Sequence, residues 1–326
     1  MQSRNVNPQR ENNLKITETN LTIMMEFVLL GFGDIPQFHW FLFGVFLVIY
    51  LIILLGNAII ILITKADATL HTPMYFFLSI FSFLEICYVS VTLPRMLMDF
   101  WTQKGSISFL TCATQLFFFF MLGGTECFLL AVMAYDRYVA ICNPLHYPLV
   151  MNPEVCVQLV VASWISGIPI EIGLTCQIFS LPFCGSNQIN HFFCDTPPLL
   201  KISCGDIFVN ELVVYICALL FATLPFMLIL GSYIRIISTI VKLPSETGRA
   251  KAFSTCSSHI IVVLLFYGSV TVTYLKPKSN QYEGIDKLLS LVYTVLTPVL
   301  NPMIYSLRNK DVRQAMRKFL PKLLTL

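Results

Sequence analysis

The sequence predicts an all-α membrane protein: a seven-transmembrane-helix bundle with an extracellular N-terminus and a short amphipathic cytoplasmic helix after the seventh span. Three observations carry this. Hydrophobic residues make up 56% of the 326 residues and charged residues only 12%, where a soluble chain is normally about a quarter charged. Seven stretches each offer the roughly 20 mostly apolar residues that a bilayer crossing needs. The lysines and arginines favour one side of the resulting threading. Backbone polar groups in lipid must be paired within the segment, so each stretch is expected to be a helix.

The predicted organisation is an extracellular tail over 1–39, a membrane domain over 40–307 and a cytoplasmic helix and tail over 308–326. The polar start, MQSRNVNPQRENNLKITETN, has no short apolar core followed by small residues, unlike a cleaved signal peptide. The first span is therefore expected to act as an uncleaved signal-anchor. Asn20-Leu21-Thr22 is a glycosylation acceptor triplet, with Asn20 usable only on the extracellular side. The net charge of +3 is small for the length and gives no reason to invoke nucleic acid.

The spans read as about 40–63, 73–100, 109–142, 155–179, 208–241, 251–274 and 288–307. The segments near Leu199 and Tyr282 are too polar to add an eighth. With the amino terminus outside, Lys65, Arg137, Arg235, Lys242, Arg249, Lys251 and the cations of the tail all fall on the cytoplasmic side, as the positive-inside rule asks. After the last span, Val312, Ala315, Met316 and Phe319 recur at helical spacing between Arg313, Arg317 and Lys318. That pattern suits a short helix on the anionic inner leaflet.

The loop between spans four and five, SLPFCGSNQINHFFCDTPPLLKISCGD, is long enough to be a lid. Cys184, Cys194 and Cys204 lie in it, and Cys112 sits at the outer end of span three. Four cysteines on the oxidising side allow three pairings, and spacing alone does not choose among them. A zinc site using His191 is the rival reading of this loop.

Span three ends in MAYDRYVAIC, which sets Asp136 and Arg137 where the helix leaves the lipid. An adjacent acid and base there is costly unless it has a task. Two further acids are buried. Glu85 lies 12 residues after Pro73 (85 − 73), about 18 Å from the inner end of span two. Glu126 lies 11 residues before Arg137 (137 − 126), about 16 Å from the inner end of span three. The helices run antiparallel, so both carboxyls reach a similar depth. They cannot both stay ionised there without compensation: one is protonated, or a cation sits between them. Outward of Glu126, Gly123 and Gly124 adjoin Phe119 and Phe120. The glycines either leave room for a small molecule beside two aromatic walls or let helices pack closely.

Eight stretches now match a known family in order: EFVLLGF (26–32), GN (56–57), LHTPMYFFLS (70–79), MAYDRYVAIC (133–142), SY (232–233), KAFSTCSSH (251–259), FYG (266–268) and NPMIYSLRN (301–309). The chain resembles a rhodopsin-like G-protein-coupled receptor and, within that class, an odorant receptor of the tetrapod (class II) type. The resemblance implies disulfides Cys112–Cys194 and Cys184–Cys204. It also implies a stimulatory, olfactory-type heterotrimeric G protein as partner, a rise in cAMP, and residence in the plasma membrane of olfactory sensory neuron cilia. It tips the glycine reading towards a pocket, which Cys217, Ala218, Phe221, Tyr267, Val270, Tyr274 and Thr294 would complete. It supports a sodium-type site at Glu85 and Glu126 with Asn301 as neighbour, and no other cofactor. Family members mostly carry Asp where Glu85 stands.

The expected ligand is a small, neutral, mostly apolar volatile, because no acid is expected to face the cavity. At about ten heavy atoms and roughly 0.5–0.7 kcal/mol per atom, it would bind at about 10–200 μM. The expected switch is the Asp136-Arg137-Tyr138 triplet, with Tyr233 and Tyr305 assisting and with Pro225 and Pro302 marking bends. Many rhodopsin-like receptors place an acid at the inner end of span six to pair with this arginine. Here Arg249 occupies the matching position, so Asp136 is expected to be the main anionic restraint on Arg137.

A transporter or channel would show broken helices in repeated halves or a polar stripe through several spans; only Glu85 and Glu126 suggest one, and Phe119 and Phe120 close their outer approach. An enzyme would need a nucleophile–base or metal constellation, and His259 in span six has no such company. A receptor of the same fold for another small ligand is the remaining alternative.

Overall fold

The computed structural model describes residues 26–32, 38–184, 186–242, 244–274 and 283–323. Asn20 and most of the amino-terminal tail lie outside the described residues. Seven helical runs among these are long and apolar enough to cross a membrane: His39–Ala66, Pro73–Thr102, Phe109–Cys142, Pro153–Phe179, Phe208–Val241, Cys256–Thr273 and Lys287–Tyr305. The expected seven-span bundle is the observed one.

Local chemistry sets the helix ends. Helix α1 is His39–Ala66. Helix α2, Pro73–Thr102, opens with proline at its first turn, where the missing N–H costs nothing. It ends at Gln103 in the left-handed region, φ 53°. Helix α3, Phe109–Cys142, is capped by Ser108, whose hydroxyl accepts from the Thr111 N–H at 3.2 Å. A short helix α4, Tyr147–Val150, crosses the cytoplasmic face.

Span four is two helices rather than one. Helix α5, Pro153–Ile165, starts from an Asn152 cap. Helix α6, Ile168–Phe179, begins afresh after Gly167 with Pro169 in its first turn. The outer loop carries α7, Thr196–Ile202. Span five is α8, Phe208–Val241, with Pro225 inside it, and span six lies in α9, Glu246–Tyr274. Span seven is α10, Glu283–Leu291, then a π turn over Val292–Leu296, then α11, Thr297–Arg308.

Helix α3 is the hub, packing against α2, α5, α6, α8 and α9. Trp40, Phe41, Leu55, Leu220, Leu224 and Met227 are exposed on the outside of the bundle, as side chains meeting lipid tails should be. Helix α12, Lys310–Leu323, turns its expected face inward: Val312 and Ala315 are buried, and Met316 and Phe319 are partly so. Tyr75 of α2 donates towards Asn309 and Asp311 at 3.2 and 3.0 Å, which fixes where that helix leaves the bundle.

The apolar patterns of the sequence predict helices alone, yet the outer face carries a three-stranded sheet. β1 (Glu26–Leu29) lies between β2 (Ser106–Ser108) and β3 (Gln188–Ile189). It pairs antiparallel with β2, Phe27 opposite Ile107, and parallel with β3, Val28 opposite Gln188. Phe27, Leu29, Ile107 and Ile189 bury their side chains in a cluster with Cys112 and Cys194. The EFVL segment is therefore a structural plug tying the tail to the long loop.

Candidate functional site

The bundle carries three stations along α3. The outermost is a cavity with about 710 Å³ of space not filled by protein atoms, the open mouth included. Phe119, Phe120, Gly123 and Gly124 of α3 line it, with Cys217, Ala218 and Phe221 of α8 and Val270 of α9. Phe119 is the central ring, 5.3 Å from Tyr88, 5.3 Å from Phe120 and 4.7 Å from Phe193 of the outer loop (centroid distances). Gly124 lies close under the Phe221 ring: a Cβ there would stand 3.3 Å from Cδ1 of Phe221.

Two residues expected in this lining are elsewhere. Tyr267 turns its hydroxyl to the Cys127 carbonyl at 3.2 Å, and its ring lies tilted against Phe226. Thr294 donates to the Ser290 carbonyl at 2.6 Å, and its neighbour Tyr293 lines the cavity instead. The π turn supplies the reason, because an extra residue in one turn rotates the inward face. The side chain of Tyr274 lies outside the described residues.

Tyr88, Cys127, Leu174, Val214, Ala222, Phe266 and Glu171 also line the cavity and were not anticipated. Glu171 overturns the expectation that no acid faces it. Its side chain, in the first turn of α6, is 5% exposed. The signal was present in the sequence as an acid inside an apolar span, a functional candidate by default.

The outer loop closes over this end. Cys112 is bonded to Cys194 and Cys184 to Cys204, with Cα–Cα distances of 5.5 and 5.8 Å. These bonds remove the cysteines that a zinc site would need. Gln115 of α3 accepts from the Cys194 N–H and donates to the Val91 carbonyl, both at 2.9 Å. His191 meets the Ser290 hydroxyl through Nε2 at 3.1 Å. Burial, and then the charge of Lys287, push the His191 pKa down to about 3.

The middle station brings Glu85, Glu126 and Asn301 together in the core. Asn301 donates its amide to Glu85 Oε1, and the two carboxyls interact electrostatically. Glu85 and Glu126 are 1% and 2% exposed, yet Oε2 of Glu85, Oε1 of Glu126 and Oδ1 of Asn301 have no hydrogen-bond partner. Three orphaned oxygens in one buried place suit a hard cation, which prefers oxygen ligands.

The innermost station is the Asp136-Arg137 pair, and its geometry differs from the expected one. Asp136 does not turn to Arg137: its Oδ1 accepts from the Tyr147 hydroxyl of α4 at 2.8 Å. Arg137 donates through Nη1 to the Met133 carbonyl at 2.9 Å. Tyr233 and Tyr305 both lie within electrostatic reach of the guanidinium. The Tyr233 hydroxyl is engaged by Nδ1 of His259 at 2.7 Å, while Tyr305 is buried with its hydroxyl unpartnered. Tyr138 is half-buried beside Tyr135, ring centroids 6.1 Å apart. Arg249 pairs instead with Glu246 on its own helix at 3.8 Å.

Residues 46–322 match the family model described as olfactory receptor. The chain is 66% identical to human "Olfactory receptor 10AG1" over 301 residues, 92% of this chain and 100% of that one. It is 52% identical to human "Olfactory receptor 10A7" over 299 residues, 92% of this chain and 95% of that one. With human "Olfactory receptor 10A5" the identity is 53% over 308 residues, covering 94% and 97% of the two chains.

Proposed function

Because this chain belongs to the olfactory receptor family of seven-span G-protein-coupled receptors, we propose that its outer cavity is an odorant site. A small, mostly apolar volatile held there would drive a stimulatory, olfactory-type G protein at the inner face and raise cAMP. The observation that carries this reading is the cavity itself: a mostly apolar space walled by Phe119, Phe120 and Phe221 and opened by Gly123 and Gly124.

The residues divide the work by position. The aromatic walls exclude water and hold the apolar part of a ligand. Glu85, Glu126 and Asn301 would hold a sodium ion, whose charge, when bound, offsets that of the carboxyls. Below them, a ligand shifts the resting equilibrium only by its difference in affinity for the resting and active states. Activation would free Arg137 from its Met133 contact for the G protein, with Tyr233 and Tyr305 beside it. The same reading puts the receptor in the plasma membrane of sensory cilia, with a glycan on Asn20.

Expressing the full chain with an olfactory-type G protein and screening volatiles through a cAMP readout tests the proposal. Responses that disappear when Gly124 is replaced by leucine in a surface-expressed receptor are the expected result. A receptor at the surface that answers no volatile would overturn it.

A further inference from the structure

Glu171 is an acid in the wrong place for a purely apolar cavity. It sits in the first turn of α6, where the chain restarts its helix after Gly167. It is 95% shielded from solvent (5% exposed), and its Oε2 accepts no hydrogen bond. Its surroundings in the cavity wall are Leu174, Cys217, Ala218 and Phe221. Cys217 is near enough to interact with its charge, but a thiol is at best a weak donor. Among the described residues lining the cavity there is no lysine, arginine or histidine.

A buried carboxyl without a partner is expensive, and an ionised one most of all. Packing does not account for it, since leucine or methionine would fill the same wall without that cost. A ligand that brings its own N–H donors and positive charge into the cavity would relieve it.

We propose that Glu171 makes this cavity a site for small aliphatic amines. The ammonium would pair with the Glu171 carboxylate while the alkyl chain lies against Phe119, Phe120 and Phe221. The inference rests on the cavity being the odorant site, and it deepens that reading by naming a ligand class. The specificity is a difference between ligands. An amine relieves the unpaired carboxyl, whereas a ketone of equal size leaves it unpaired and buries it further.

The test compares heptylamine, heptan-1-ol and octan-2-one on cells expressing the full chain, with G-protein signalling normalised to surface receptor. Heptylamine is expected to act at concentrations about ten- to a hundredfold lower than the other two. Glu171→Gln, compared at equal surface display, should bring the potencies of heptylamine and octan-2-one together. Glu171→Asp keeps the charge and should retain part of the preference, which separates loss of charge from loss of folding. The wild-type ranking is decisive even if a variant fails to reach the surface. Equal potency of heptylamine and octan-2-one in the wild type, or an undiminished preference in Glu171→Gln, would overturn the inference. A receptor that answers neutral volatiles but not heptylamine overturns this inference alone. One that answers neither overturns the odorant-site reading as well.

Discussion

The Tyr147 hydroxyl donates to Asp136 Oδ1 at 2.8 Å, so the acid of the Asp136-Arg137 pair is held by the cytoplasmic helix α4 and not by its neighbour. Burial first, and then the Asp136 charge, keep the Tyr147 phenol well above its ordinary pKa. It therefore remains a donor throughout the physiological range. Removing that donor frees a buried carboxylate, and Arg137 is the cation within its electrostatic reach.

Opposite effects on ligand-free signalling are expected from the two partners. Tyr147→Phe should lower basal activity several-fold, because Asp136 turns onto Arg137 and tightens the resting state. Asp136→Asn should raise it, because it removes the carboxylate within electrostatic reach of the guanidinium. Basal G-protein signalling per surface receptor measures both. A rise of equal size in both variants would show that Tyr147 restrains Arg137 only by packing α4 in place.

The adjacent glycines of α3 should tolerate a methyl group unequally. A Cβ on Gly123 would meet Cε2 of Tyr88 at 3.8 Å, an ordinary contact, whereas one on Gly124 would meet Phe221 at 3.3 Å. Gly123→Ala is expected to leave ligand potency within about threefold. Gly124→Ala must move the Phe221 ring, and a change of about tenfold corresponds to about 1.4 kcal/mol. Concentration–response curves for one active volatile on both variants check this. Equal sensitivity at the two positions would place the ligand away from Phe221.

His191 gives the outer loop a calculable acid sensitivity. Its pKa is about 3 in the folded loop and near 6.5 in an unfolded chain. Between those values the unfolded state binds a proton that the folded state refuses. Stability is therefore fully present above about pH 6.5 and falls by about 1.4 kcal/mol per unit as the pH drops towards 3. His191→Phe preserves a ring between Phe192 and Phe193, which stand 4.6 and 4.5 Å from the imidazole centroid, and it removes the titration. The melting temperature of purified receptor should decline from pH 6.5 to 4.5 in the wild type and more shallowly in the variant. Parallel curves would show that this histidine is not what acid attacks.

What was legible in the sequence follows from how local each feature is. The spans could be read because lipid forces every apolar run of this length into a helix. The acids Glu85 and Glu126 met as expected because helical rise alone converts residue number into depth. Features that depend on backbone irregularity were missed. Glu171 lines the cavity just after the break at Gly167, and in the π turn over Val292–Leu296 it is Tyr293 rather than Thr294 that lines it. Contacts between segments distant in sequence were missed for a different reason. Neither the Tyr147–Asp136 bond nor the pairing of the EFVL strand has a local periodicity to announce it.

That strand yields the most direct structural test. The Leu29 N–H donates to the Gly105 carbonyl at 2.8 Å, and a Cβ built on Gly105 would stand 2.0 Å from the Leu29 carbonyl oxygen. Both sides of that clash are backbone, so no rotamer change relieves it. β1 would have to lift from β2, uncovering Phe27 and Leu29 from the cluster around Cys112 and Cys194. Overpacking of this kind typically costs about 1–3 kcal/mol. Gly173→Ala is the matched control, since nothing lies within 4 Å of its added Cβ and alanine favours a helix by about 1 kcal/mol over glycine. Surface display of a tagged chain, measured by flow cytometry, should fall several-fold for Gly105→Ala and hold for Gly173→Ala. Undiminished display of Gly105→Ala would mean that the strand is dispensable for folding, and that the two disulfides hold the outer face without it.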